Sequence, residues 1–218
     1  LIAMESISLY IHIPFCRKRC SYCDFNTYAA IDHLIPYYID ALCKESTWLA
    51  RTGGGGQPVH TIYFGGGTPS LVRVNDIQRI LQVLRENFQL SNDVEISIEA
   101  NPGTLSENHL RGLRELGVNR LSLGLQSTHD DDLRLLDRIH SYFEVIEAVR
   151  LARTAGFRNL NLDLMFGIPG QSIDHWRHSL ELALGLNPEH LSLYALTIEA
   201  GTRLEHWVNR GIACEVEQ

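Results

Sequence analysis

No run of apolar residues in this 218-residue chain approaches the roughly 18 that a membrane-spanning helix needs, so the sequence predicts no membrane span. Basic charge is also scarce. Nineteen Lys and Arg stand against 26 Asp and Glu, for a net charge of −7, whereas a general nucleic-acid binder needs a clustered basic surface. The five cysteines are odd in number and too sparse for the disulfide framework of a small secreted protein. The stretch from Leu1 to Phe15 has neither a basic n-region nor a small-residue cleavage site. Together these absences predict a globular protein of the reducing cytoplasm.

A further absence lies among the cysteines themselves. Cys16, Cys20 and Cys23 fall within eight residues in a C-x3-C-x2-C pattern, with no fourth ligand nearby; Cys43 and Cys214 are far off in sequence. A structural zinc site is closed by four Cys or His, and an ordinary iron–sulfur cluster takes four Cys. Three thiolates would leave one iron of a [4Fe–4S] cluster open to a non-protein ligand. A zinc knuckle completed by His12 or His33 is the alternative on spacing alone. Arg17, Lys18 and Arg19 either form a solvated loop face or offset the negative charge of the metal–thiolate unit. Cys43 falls on an apolar stripe with Leu34, Ile35, Tyr38, Ile39 and Leu42, which predicts packing at a helix–sheet interface. Gly53–Gly56 reads as a flexible loop, because no Lys-Ser/Thr follows it to make a phosphate cradle.

Six β-like runs recur with helical patterns between them: 6–13, 60–64, 94–99, 120–126, 159–165 and 190–197. Alternation of this kind predicts a parallel α/β fold, here as one domain spanning residues 1–218. Helix starts are expected at Asn75, Ser106, Ser141 and Ser172, with a capping box from Ser141 to Glu144. Stops are expected at Gly117, Gly156 and Asn187-Pro188.

Within the strands one face is apolar, as in Ile11/Ile13, Ile96/Ile98, Leu121/Leu123/Leu125 and Leu160/Leu162/Leu164. The other face is polar: Ser8/Tyr10/His12, Glu95/Ser97/Glu99, Ser122/Gly124/Gln126, Asn161/Asp163 and Ser192/Tyr194. Buried polar groups are costly unless something bonds to them. A polar inner face therefore predicts a cavity holding water or a polar ligand, with the C-terminal ends of the strands lining its mouth.

The blocks Tyr10-Ile11-His12-Ile13-Pro14-Phe15-Cys16 through Cys23-Asp24-Phe25, Gly65-Gly66-Gly67-Thr68-Pro69, Ile98-Glu99-Ala100-Asn101-Pro102, Leu123-Gly124-Leu125-Gln126-Ser127 and Asp163-Leu164-Met165-Phe166-Gly167-Ile168-Pro169-Gly170 resemble the radical S-adenosylmethionine (SAM) superfamily. More narrowly they resemble its oxygen-independent coproporphyrinogen III oxidase and heme chaperone branch, over about residues 10–201. The resemblance implies a partial (β/α)6 TIM-like barrel, with Cys16, Cys20 and Cys23 holding a [4Fe–4S] cluster whose fourth iron chelates SAM. It implies SAM contacts from Tyr10, Tyr22, Gly66, Gly67, Thr68, Glu99, Gln126, Arg138, Asp163 and Ala195. By sequence, Arg138 could equally be an exposed cation at a helix end.

The implied chemistry is reductive: one electron from the cluster, supplied by a reducing donor, cleaves the S–C5′ bond of SAM. Coproporphyrinogen dehydrogenases of this branch carry an extra Cys two residues after the third ligand, where this chain has Phe25, and a longer N-terminal extension. The resemblance is therefore to the heme chaperone subgroup, whose members bind heme and deliver it to apo-proteins. That subgroup's His-Asn…Tyr-Trp heme motif lies in a C-terminal region and does not occur before Gln218, so the resemblance implies a core domain without the C-terminal one.

Overall fold

The branched apolar residues at every second position of the six runs fold as strands, and the stretches between them as helices that cover the apolar side. The computed structural model describes residues 6–214. In chain order the strands are β1 (Ile7–Ile13), β2 (Phe15–Cys16), β3 (Tyr28–Ala29), β4 (Pro58–Gly66), β5 (Gln89–Ala100), β6 (Arg120–Gln126), β7 (Leu160–Phe166) and β8 (His190–Ala195). The α-helices are α1 (Ile35–Leu49), α2 (Val74–Asn87), α3 (Glu107–Glu115), α4 (Asp130–Leu135), α5 (Tyr142–Thr154), α6 (Ile173–Gly185) and α7 (Arg203–Asn209). Six strands form one parallel sheet in the order β1-β4-β5-β6-β7-β8. Strands follow the chain without reversal, so the sheet curls into a half-barrel whose end strands β1 and β8 do not pair.

The outer face is a continuous apolar layer. Ile13, Ile62, Phe64, Ile98, Leu121, Leu123, Leu125, Leu162 and Leu164 are fully buried there, against Ile77, Ile80, Leu81, Leu110 and Val145 of the helices. Each such side chain contributes about 1.5–3 kcal/mol on burial. Cys43 packs at the margin of this core, as its stripe predicts.

Three of the expected caps form. The Ser106, Ser141 and Ser172 hydroxyls accept the N–H of the residue three ahead, and Ser141–Glu144 is a full capping box. The fourth does not: α2 begins a residue earlier than Asn75, after Arg73 in extended conformation, because the Arg73 side chain reaches forward to Asp76 and draws the chain into its first turn. The helical pattern expected through Thr52 ends at Leu49 and continues as a wider π-type turn over Ala50–Gly54. That turn takes up the start of the glycine run, with Gly53 at φ +137°.

Two features tie down the cysteine loop. The two-residue parallel pair β2–β3 holds the returning chain beside Cys16, with Cys16 opposite Ala29. A second, smaller core of Leu136, Met165, Ile168, Leu196 and Leu204 has Tyr22 packed against it. Ser21, at its edge, is fully buried: its N–H donates to the Leu136 carbonyl, its hydroxyl donates to Leu135, and its own carbonyl accepts from Leu204 at the start of α7. Helices α4 and α7 thus clamp the loop between the first and third cysteines.

Candidate functional site

One cavity at the C-terminal ends of the strands gathers residues from five sheet strands and the cysteine loop. Its wall includes Cys16, Cys20, Cys23 and Tyr22, with Arg138 against Cys20, together with Glu99, Gln126 and Asp163 from the strands and Gly66, Gly67 and Thr68 from the glycine turn. Phe25 stands at its rim, 64% exposed. Of the residues that the resemblance implicates, only Tyr10 and Ala195 lie outside this wall. Tyr10 is 59% exposed on the edge strand, stacked on Tyr63 with its hydroxyl toward His12. Ala195 ends β8 with its neighbour Tyr194 turned into the cavity.

The glycine turn is fixed by space. Gly66 has φ +115°, and a Cβ there would meet the His12 ring at 2.6 Å. A Cβ on Gly67 would lie 2.7 Å from the Phe15 carbonyl and 3.0 Å from the Cys16 sulfur. Its N–H groups are already committed: Gly66 donates to Glu99 (3.1 Å), Gly67 to the Ile13 carbonyl and Thr68 to the Phe15 carbonyl (both 2.8 Å).

The two carboxylates differ in support. Glu99 accepts from the Tyr63 hydroxyl at 2.7 Å and from Gly66. Asp163 accepts from Ser122 at 3.1–3.2 Å and from Asn161 at 2.6 Å, and Asn161 in turn accepts from Ser192. Burial pushes both above the ordinary carboxylate range, and the hydrogen bonds only partly oppose it. The nearby Asp163 charge also raises the Glu99 pKa. The wall is therefore poised for a cationic ligand.

Arg138 resolves an ambiguity of the sequence. It turns inward rather than out to solvent, with one guanidinium nitrogen 3.4 Å from the Cys20 sulfur and another donating to the Gly124 carbonyl at 2.9 Å. A Cβ on Gly124 would sit 2.9 Å from that guanidinium, so a side chain there would have to displace it. Gln126 is 7% exposed, has φ +66° and interrupts the β6–β7 register. Positive φ is uncommon for a non-glycine residue and marks a constrained position.

The wall also holds polar atoms without protein partners. The Gln126 carbonyl oxygen Oε1 and the Arg138 Nε are buried and bonded to nothing. Such atoms cost about 1–3 kcal/mol unless a ligand or water meets them. The three thiols, moreover, surround a cavity instead of converging: among the described residues no three His, Cys, Asp or Glu side chains come close enough to hold a single metal ion. A lone zinc needs ligands at about 2.0–2.3 Å. Of the histidines considered for a knuckle, His12 has one ring nitrogen on the Asn26 carbonyl at 3.0 Å and the other on Tyr10. A polyatomic cluster bearing a polar, cationic ligand fits this donor set.

Two wall or wall-supporting residues went unread in the sequence. Thr27, 5% exposed, lies in the wall beside Cys23, and Tyr63 holds Glu99. Tyr63 is legible as an inward position of β4, while nothing in the local pattern distinguishes Thr27.

The chain matches the radical SAM superfamily over residues 10–183. It is 41% identical over 207 residues to the heme chaperone HemW of Bacillus subtilis, covering 94% of this chain and 54% of that protein. To the HemW heme chaperone of Escherichia coli it is 40% identical, covering 93% of this chain and 53% of that one. Among solved structures it resembles the coproporphyrinogen III oxidase HemN of Escherichia coli, a radical SAM enzyme, with a TM-score of 0.83 and 31% identity over 95% of this chain and 52% of that one. The chain thus spans about half the length of the curated relatives it matches. With its half-barrel and its three-cysteine loop, the chain belongs to the radical SAM superfamily.

Proposed function

We propose that this chain is the core domain of a heme chaperone, binding a [4Fe–4S] cluster through Cys16, Cys20 and Cys23 and SAM in the same cavity. The observation that carries the reading is that three inward thiols share one cavity with unpartnered Gln126 and Arg138 atoms. The roughly 40% identity to heme chaperones supports the choice of task. When bound, the cluster and SAM supply one-electron reductive chemistry.

The chain's own residues bind and orient. Glu99 and Asp163 face the cationic part of SAM, Arg138 and Gln126 its carboxylate and polar groups, and Tyr22 the adenine. Gly66, Gly67 and Thr68 give the backbone room, with Tyr10 and Ala195 contributing at the margin. Heme is the cargo, heme-accepting apo-proteins are the partners, and a cytoplasmic reductant is the electron donor. No helix of the described residues is long and apolar enough to cross a membrane.

Likeness to HemN favours a second reading, oxidative decarboxylation of coproporphyrinogen III by an oxidoreductase of that type. Phe25 in place of the extra cysteine speaks against it. Three measurements decide: EPR of the anaerobically reconstituted chain with and without SAM, heme titration, and porphyrin analysis after incubation with coproporphyrinogen III, SAM and reductant. A cluster signal perturbed by SAM and no decarboxylated product are expected, with heme taken up by a version extended at its C-terminus to the relatives' length and titrated beside this chain. Decarboxylated product would establish the second reading instead.

A further inference from the structure

Each cysteine of the loop has a hydrogen-bonding neighbour of its own. Arg138 approaches Cys20 at 3.4 Å, the Thr68 hydroxyl donates to Cys16 at 3.6 Å, and the Thr27 hydroxyl lies 3.8 Å from Cys23. Thr27 differs from the other two in lying within the returning loop itself, four residues from the cysteine it faces. It is buried in the cavity wall, where water competes poorly for it.

Its placement is built rather than incidental. The Thr27 N–H donates to the Phe25 carbonyl at 2.7 Å in a tight turn, and the next residue, Tyr28, donates to the Pro14 carbonyl at 2.7 Å. The β2–β3 pair then locks this returning chain alongside Phe15 and Cys16. A two-residue strand pair is too small to stabilise a fold by itself. Its effect is to hold Thr27 against the Cys23 sulfur.

We infer that Thr27 is a positioning residue that raises the reduction potential of the cluster by donating a hydrogen bond from its hydroxyl to the Cys23 thiolate. The inference rests on the three-cysteine reading above. In the free thiol either the sulfur or the hydroxyl can be the donor. A ligating thiolate has no proton, so Thr27 must then donate. Hydrogen bonds to cluster sulfurs favour the more negative, reduced state and so shift the potential upward.

The test is an EPR-monitored redox titration of the reconstituted cluster, without SAM, in the unaltered chain and in T27V, T27A and T27S, with iron counted in each. T27V keeps the volume and removes the donor; T27S restores the donor. At the midpoint potential of the unaltered chain, T27V and T27A should show an oxidised-to-reduced ratio about tenfold higher, a shift of about 59 mV for a one-electron couple. T27S should stay within about twofold. Equal potentials in T27V and the unaltered chain at equal iron content would overturn the inference. So would a shift in T27S as large as in T27V, or loss of the cluster from both donor-free variants, which would assign Thr27 to assembly instead. If the unaltered chain takes up no cluster, the three-cysteine reading fails, and this inference fails with it.

Discussion

The lower and upper layers of the barrel interior are both polar, yet they are built on opposite principles. In the lower layer Ser97, Ser122 and Asn161 are at most 2% exposed and bond to one another or to neighbours: Arg120 donates to Ser97, Ser97 to Glu95, and Asn161 to Ser122 at 2.7 Å. In the upper layer Gln126 and Arg138 keep unbonded atoms, Glu99 and Asp163 are held above their usual pKa range, and three thiols face inward. A satisfied polar layer specifies a structure, and an unsatisfied one at the strand ends specifies a ligand. The difference separates scaffold from site on a single sheet.

That contrast is broken most severely at the thiols. Cys20→Ala should abolish nearly all cluster iron after anaerobic reconstitution while leaving far-UV circular dichroism unchanged, and Cys43→Ala should retain it. Equal iron loss in the two variants would sink the three-ligand reading. Next comes the covered side of the sheet. Leu123→Ala, at a fully buried position, should cost about 2–5 kcal/mol in urea unfolding, with no selective effect on the upper layer's ligand. A cost below 1 kcal/mol would mean the outer layer is not the core.

A smaller effect is expected at the upper wall. Glu99→Gln should weaken SAM binding by about 1–3 kcal/mol in calorimetric titration without loss of fold; unchanged affinity would falsify its assignment to the site. Smallest is a pH effect on the ligand-free chain. Burial raises the Asp163 pKa above its usual 3.8, so the folded state binds a proton more tightly than the unfolded state. Its contribution is present below about pH 4 and is lost as pH rises through the folded value. Relative to Asp163→Asn, the unaltered chain should lose thermal stability between pH 4 and 7. Parallel pH profiles would show that Asp163 carries no such strain.

What could be read from the sequence was local. Period-two alternation located all six strands of the main sheet, and Ser106, Ser141 and Ser172 announced their helices because a cap acts within three residues. The expected strand at 94–99 falls short of the observed Gln89–Ala100, because the register slips between β4 and β5 around Ser91–Val94 and breaks the alternation there. Helix α4, with three aspartates in its first turn, shows no apolar stripe to read, and α7 is only seven residues long. The site was legible where its residues sit on strands, as Glu99, Gln126 and Asp163 do. Arg138 and Thr27 were not, since their roles depend on sulfurs that only folding brings near: Arg138 and Cys20 lie 118 residues apart in the chain.

The unpaired margins β1 and β8 have one last consequence. A closed barrel can be entered only through its ends, so whatever reaches the centre must be narrower than the ring of strand tips. An unclosed one is a trough. Its contents are accessible from the flank, where Tyr10 on one lip and Tyr194 near the other are 59% and 38% exposed. Among the described residues, the flank between these two tyrosines is therefore bounded by side chains rather than by backbone pairing.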